Sequence, residues 1–522
     1  MDQFIRKYAG SINGVVSGFD RLVFRGPLRT LSHVQGMKLY LSRAHVLLKE
    51  FGAHVQGLSE RIKQATEVTA RAMGHKVTYL ASPKMDKEAA ARARAAERGI
   101  TEGPVCMLST VEACRSYELY RNRETKRLEW QPRWRKCLFY YHYWIHPEFG
   151  FMNARIQTWM PFPVQVCING REWLCRRLDA AGMSDIRREN CLVWVEDVER
   201  AQQFLNEQLR VSWPKLLDGI AQRLNPVHDE MFAAFPIQYY WCVYQSEWAT
   251  DVLFRDPAAL ACLYPRFVHH GVTSFASPDV MRFLGRKSPN QGHVHPAFKG
   301  EIVTSLKHRP EGVRIKHSVN NNSIKLYDKQ GSVLRVETTL NNSRDLRVYR
   351  RKEGQRRGPR SWKPLRKSVA DLHRRAQLSQ AANERYLDAL AAVSADTTLG
   401  EFTKDLCRPV RYQGKRIRAL RPWEPQELQL LQTLNHGEFL VTGLRNRDLV
   451  TVLFPRLADS PRDRKRACAA ISYRLRILRA HGLIAKVNGT HRYLVTTKGR
   501  TAITAILAAH RATIEQLTKD AA

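Results

Sequence analysis

Leu475-Arg-Ile-Leu-Arg-Ala-His-Gly482, continuing through Leu483-Ile-Ala-Lys-Val487 and then Arg492-Tyr-Leu-Val-Thr496, is the stretch on which the fold reading turns. Ala467, Ile471, Leu475 and Leu478 recur at three- and four-residue spacing, the apolar face of a helix over 462–481. Gly482 is placed to end it, because helices commonly close on a residue in the left-handed region. The two runs that follow flank Asn488-Gly489, a strong hairpin signal. Helices over 424–435 and 446–454 precede this block, and one over 500–517 follows it. The remaining faces of the third helix carry Arg464, Lys465, Ser472, Arg474, Arg476 and Arg479, and the hairpin carries Lys486, His491 and Arg492.

Leu475 to Ile484, followed by Tyr493-Leu-Val-Thr-Thr-Lys-Gly-Arg500, resembles the winged-helix domains of MarR-like regulators. The resemblance covers about 90 of the 522 residues. It implies that the third helix enters a major groove of DNA while the hairpin, as a wing, contacts backbone or minor groove. Some winged helices bind protein instead, but the arginines of this third helix favour nucleic acid.

Composition points the same way. Lys and Arg number 85 against 49 Asp and Glu, a formal charge of +36, and a polyanion is the natural partner for such an excess. DNA is the expected partner, with RNA as the other candidate. No apolar run reaches the roughly 18 residues of a spanning helix, and no signal-peptide pattern opens the chain, so a cytoplasmic protein with no membrane partner is expected. The ten cysteines are scattered without a CxxC pair, which argues against zinc and suits buried thiols in a reducing compartment.

The pattern along 522 residues predicts a multidomain α+β chain. An α/β domain is expected over 1–125, with helices at 34–51, 56–73 and 87–98. Antiparallel strands from 126 to about 170 then give way to a mainly helical region up to 300. Strands return over 301–350, a basic linker and helix occupy 351–421, and the winged-helix unit fills 422–522. Arg356 and Arg357 fall in the linker as candidate nucleic-acid contacts.

Ile324-Lys-Leu-Tyr-Asp-Lys329 and Leu334-Arg-Val-Glu-Thr-Thr-Leu340 form a predicted hairpin that is similar to a strand pair in plasmid and phage rolling-circle replication initiators. The similarity implies a catalytic cluster: Tyr327 beside a DNA phosphate, with Asp328 and Glu337 holding Mg²⁺ or Mn²⁺. Alternation places Lys325 and Tyr327 on one face and Arg335 and Glu337 on one face of the partner strand, so that these four could converge. The plain alternative is a hairpin with an ordinary Arg–Glu cross-strand pair.

Other candidates are weaker. Glu247 and Asp251, four apart, would share a helix face and could bind one metal ion or form a solvated acidic face. His293-Val-His295 has the spelling of a metal motif of nickase relaxases, yet Gly292 and Pro296 favour a loop. Asp20, at a strand start, could be structural or a ligand. Between Arg121 and Lys136, Trp130 and Trp134 interleave with Arg133 and Arg135, so indoles could stack bases while cations meet phosphates. The alternative is an amphipathic strand with its tryptophans in the core. Together these features suggest a mobile-element or replication-initiator type of protein that cleaves or transfers phosphodiesters with a metal ion. The competing reading is a non-catalytic winged-helix regulator or the protein partner of a structured RNA.

Overall fold

The structure is a computed structural model and describes residues 1–188, 191–286, 300–309, 312–352, 358–392, 399–436, 439, 443–454, 461–487 and 489–513. In chain order the elements begin with α1 (Asp2–Lys7), β1 (Ile12–Gly26), α2 (Val34–Arg43), α3 (Phe51–Ala72), β2 (Thr78–Tyr79) and α4 (Lys87–Glu97). Next come β3 (Gly103–Arg121), β4 (Leu128–His146), β5 (Gly150–Gln157), β6 (Val164–Asn169) and α5 (Gly170–Ala180). They are followed by β7 (Asp185–Arg188), β8 (Cys191–Val195), α6 (Val198–Gln208), α7 (Trp213–Leu224), α8 (His228–Met231) and β9 (Cys242–Phe254). Then follow α9 (Pro257–Thr273), α10 (Ser277–Phe283), β10 (Ile302–Arg309), β11 (Gly312–Val319), β12 (Asn322–Lys329) and β13 (Val333–Leu340). The chain continues with β14 (Arg347–Arg350), β15 (Ser361–Pro364), α11 (Leu372–Leu390), α12 (Leu399–Lys404), β16 (Val410–Tyr412) and β17 (Lys415–Ile417). Last are α13 (Pro425–Leu434), α14 (Asn446–Leu453), α15 (Pro461–Ala480), β18 (Ile484–Lys486), β19 (Tyr493–Val495) and α16 (Thr497–Arg511).

The chain divides into two units, one of Val16–Trp248 with Arg366–His373, the other of Met1–Val15, Ala249–Leu365 and Arg374–Ala522. In the first of these the strand order is β1-β6-β5-β4-β3-β2, antiparallel except for the β2–β3 pair. Val164, Val166 and Ile168 of β6 are buried and alternate with half-buried Gln165, Cys167 and Asn169, as a period of two requires. α5 starts where Asn169 accepts bonds from the backbone N–H groups of Arg171 (2.9 Å) and Glu172 (3.4 Å). Gly170 is needed at that corner, because a Cβ there would lie 1.9 Å from the Phe19 carbonyl oxygen.

The second unit has the strand order β10-β11-β12-β13-β9. One face of this sheet is apolar: Ile315, Ile324, Leu326, Leu334 and Val336 pack in one core with Leu260 and Phe267 of α9, Phe283 of α10, and Tyr386, Leu387 and Leu390 of α11. The other face of β12 and β13 is polar yet buried, which makes it the unusual surface of the unit. C-terminal to it, α13, α14 and α15 bury Leu431, Leu449, Ile471, Leu475 and Leu478 in a core of their own with Leu483 and Ile506. The β18–β19 hairpin pairs Ile484 with Val495 and Lys486 with Tyr493, and the bridge of Leu444 to Tyr493 adds a third strand contact.

The mixed α+β content agrees with expectation, and so does the order of elements from α13 to α16. Other expectations are corrected. The region 171–290 carries the helices α5 to α10, but three strands that were not expected, β7, β8 and β9, lie among them. β9 escapes a periodicity reading because from Trp248 onward both its faces are buried, and a strand buried on both sides loses its alternation. The basic segment after 346 is not simply a linker: Arg347–Arg350 and Ser361–Pro364 pair as a hairpin. A boundary at 125/126 falls in the turn of the β3–β4 hairpin, whose strands pair from Gly103↔Ile145 to Arg121↔Leu128.

Candidate functional site

β12 and β13 are in register with Lys325 opposite Glu337 and Tyr327 opposite Arg335. Cross-strand partners share a face, so the four side chains emerge on the side away from the apolar core. Glu337 is buried and collects the others: Lys325 Nζ donates to its Oε1 (2.5 Å), and the Tyr327 hydroxyl donates to its Oε2 (2.7 Å). Burial would push the Glu337 carboxyl up. The Lys325 ammonium, the Tyr327 hydroxyl and the Arg335 charge outweigh it and hold the group below the usual carboxylate range. Arg335 turns to Asp251 of β9 instead, with Nε and Nη2 reaching the two carboxylate oxygens at 2.6 and 2.8 Å. This bidentate pair is wholly buried.

Asp328 does not join this cluster. It is a strand residue paired with Leu334, one step out of phase with Tyr327, so it faces the opposite side. There, burial raises its pKa, while the backbone N–H of Gly331 lowers it, and its charge is felt by Tyr264 of α9. Asp328 and Glu337 therefore do not share a metal ion. The turn itself is Gln330 and Gly331, both at positive φ (60° and 76°).

Glu247 and Asp251 were expected on a helix face, and the strand separates them. Four residues of extended chain span about 13 Å, too far for one ion. Asp251 is committed to Arg335, whereas Glu247 accepts from Gln245 Nε2 at 2.8 Å. A better partner for Glu247 is Asp20 of β1, since each offers a carboxylate oxygen within 4.8 Å of the other's. Arg171 Nε lies 3.9 Å from Asp20. Two carboxylates are a sufficient protein contribution for Mg²⁺, which keeps waters and phosphate oxygens in its other positions.

The two tryptophans of β4 part company. Trp130 is half-buried, its ring 4.7 Å from that of Phe51. Trp134 is 72% exposed, opposite Arg115 on β3. Arg133 pairs with Glu118, and Arg135 lies 4.8 Å over the Trp159 ring. The exposed end of the β3–β4 hairpin thus keeps one indole in solvent among cations.

On α15 the expected contacts divide. Arg474 is half-buried and donates to Gln426 Oε1 (2.5 Å), and Arg479 lies over Tyr412 and Tyr493 (5.7 and 5.9 Å). Both of these side chains contact neighbours within the module. Lys465, Ser472 and Arg476 are exposed, and with Arg462, Arg466 and Tyr473 they occupy an arc of roughly 120° on the helix. Arg464 is also exposed, on another side. In the hairpin Lys486 and His491 are exposed and Arg492 is half-buried. Arg356, Arg357, His293, His295 and Asn488 lie outside the described residues.

Sequence reasoning missed the β14–β15 hairpin and what gathers on it. Tyr349 and Trp362 are cross-strand partners with ring centroids 5.7 Å apart. Arg447 Nη2 donates to the Tyr349 hydroxyl (2.7 Å), while Arg492 and Arg445 lie over its ring at 5.0 and 5.7 Å. The available signal was the Tyr349 and Trp362 pair inside an arginine-rich run that otherwise reads as linker. Comparison with protein-family models, curated proteins and solved structures returns no match for this chain.

Proposed function

We propose that this is a nucleic-acid-binding protein whose C-terminal module docks duplex DNA through α15, with the β18–β19 hairpin against the backbone as a wing. The observation that carries this reading is the exposed arc of Arg462, Lys465, Arg466, Ser472, Tyr473 and Arg476 on a helix whose opposite face is held by a dedicated core. A helix inserted in a major groove needs such a face: short polar and cationic groups for base edges, flanked by cations for phosphates. In the full-length protein, Lys465→Ala with Arg476→Ala should weaken binding to a short labelled duplex by about tenfold or more. Unchanged affinity in that double variant would make the module a protein-docking domain.

A second reading concerns chemistry, and the Tyr327–Glu337 hydrogen bond favours it. A tyrosine hydroxyl that donates to a carboxylate has its base in place for attack on a phosphodiester, the reaction of a replication-initiator or mobile-element protein. The proton would pass to Glu337, and the phosphorus would bond to Tyr327 Oη as the leaving 3′ or 5′ oxygen departs. Strand cleavage that leaves protein covalently attached to DNA on a denaturing gel, and that is lost in Tyr327→Phe, is the expected result. Binding without cleavage would leave the regulator or structured-RNA reading in its place.

A further inference from the structure

Arg445 is the residue before α14, Arg447 lies in its first turn, and Arg492 precedes β19, so the fold draws them from separate parts of the module onto Tyr349. Asp448 faces the group: Oδ2 accepts the Arg445 backbone N–H at 2.9 Å, and Oδ1 is 4.0 Å from Arg447 Nε. Arg360, at the mouth of the hairpin, adds another charge that Arg492 feels. Guanidinium groups gathered at this density repel one another, and the Arg445 Nε is buried without a hydrogen-bond partner. The position also matters, because Asn446, between the two arginines, donates from Nδ2 to Ser472 Oγ of α15 at 2.8 Å. The cluster therefore adjoins the exposed arc.

We propose that Arg360, Arg445, Arg447 and Arg492, arranged around Tyr349 and Trp362, clamp a backbone phosphate of the nucleic acid beside α15. A phosphate supplies the missing negative charge, and its oxygens suit the fork geometry of guanidinium donors. The Tyr349 ring, packed against Trp362, holds Arg445 and Arg492 over its faces. The clamp rests on the nucleic-acid reading of α15 for its ligand, but it has a test of its own.

Arg447 and Arg360 are exposed, so the full-length Arg360→Ala/Arg447→Ala variant should keep its fold. Removing two phosphate contacts should flatten the plot of log K against log salt for a short duplex by close to 2, with roughly a tenfold loss of affinity near 100 mM salt. Arg360→Lys/Arg447→Lys, which retains the charge, should keep the slope. Inorganic pyrophosphate gives a second readout without DNA: it should raise the melting temperature of the wild type and have a smaller effect on the Ala variant. An unchanged slope together with equal pyrophosphate protection overturns the clamp and leaves the arginines as a tether for the hairpin. If the wild type does not bind duplex at all, the α15 reading falls. The clamp then stands only on a pyrophosphate effect that the Ala variant loses, and equal protection overturns it.

Discussion

Glu337 shows what one buried carboxylate can do when its neighbours are cations and a hydroxyl. Replacing it with Gln removes the charge that Lys325 needs while preserving shape, and Tyr327→Phe removes a donor without moving the ring. If the cluster cleaves DNA, both variants should abolish the covalent adduct and leave duplex binding within about threefold, since less than 1 kcal/mol of binding is at stake. The Arg335–Asp251 pair is of another kind. Its two ends are sealed from solvent, so Asp251→Ala strands a buried guanidinium and should cost about 3–5 kcal/mol, visible as a lower midpoint in urea unfolding. A midpoint equal to wild type would mean that water reaches Arg335. Convergence of Lys325, Tyr327 and Glu337 was legible in the sequence, because alternation along two strands fixes which side chains share a face. The commitment of Arg335 to Asp251 was not, since it depends on which strand lies next to β13.

At the scale of elements, the C-terminal module was the most readable part: its helices carry sharp apolar stripes and its turns carry glycine. Gly499 opens α16 where a Cβ would sit 2.0 Å from the Leu483 carbonyl oxygen. Gly499→Ala should therefore lower the stability of the module by at least about 1–3 kcal/mol, as overpacking does, with a matching fall in its melting transition. β9 was unreadable for the opposite reason, its residues being buried on both sides. The β14–β15 hairpin hid behind its charge, because Lys and Arg density suggests solvated chain unless the aromatic partners are noticed. Helix α3 was expected over 56–73 and begins earlier, at Phe51, while the helix expected over 34–51 ends at Arg43; Phe51, Val55, Leu58, Ile62 and Thr66 lie on the buried face of α3.

For the whole molecule, the +36 charge sets the expected salt response: with six or more phosphate contacts, duplex affinity should drop by about 10³-fold or more between roughly 50 and 200 mM salt. A flat response would remove phosphate contacts from the account. Acid sensitivity comes from two buried histidines. His142 and His317 are each pulled down to about 4 by burial. His317 sits between the Thr304 hydroxyl and the Tyr386 hydroxyl, at 2.9 Å from each. Because the unfolded chain takes up these protons near pH 6.5, the stability they represent is intact above that pH. It is lost progressively as pH falls toward 4, by up to about 3 kcal/mol for each histidine. Urea titrations at pH 7 and pH 5 should differ accordingly, and His317→Gln should reduce the difference.

One unit draws its core from chain segments that are far apart. Phe4 is fully buried against Phe267, with ring centroids 5.4 Å apart, and the backbone N–H of Arg255 donates to the Ser11 carbonyl. On a ribosome adding about 5–20 residues per second, Phe4 would wait roughly 13–50 s for Phe267 to be made. Throughout that interval the aromatic residues Phe4 and Tyr8 are without their native partners and open to chaperones, while Val16–Trp248 is already complete but for its short later segment. Nascent chains arrested before residue 260 should therefore be cut by protease within the first fifteen residues, and chains arrested well beyond Leu390 should resist.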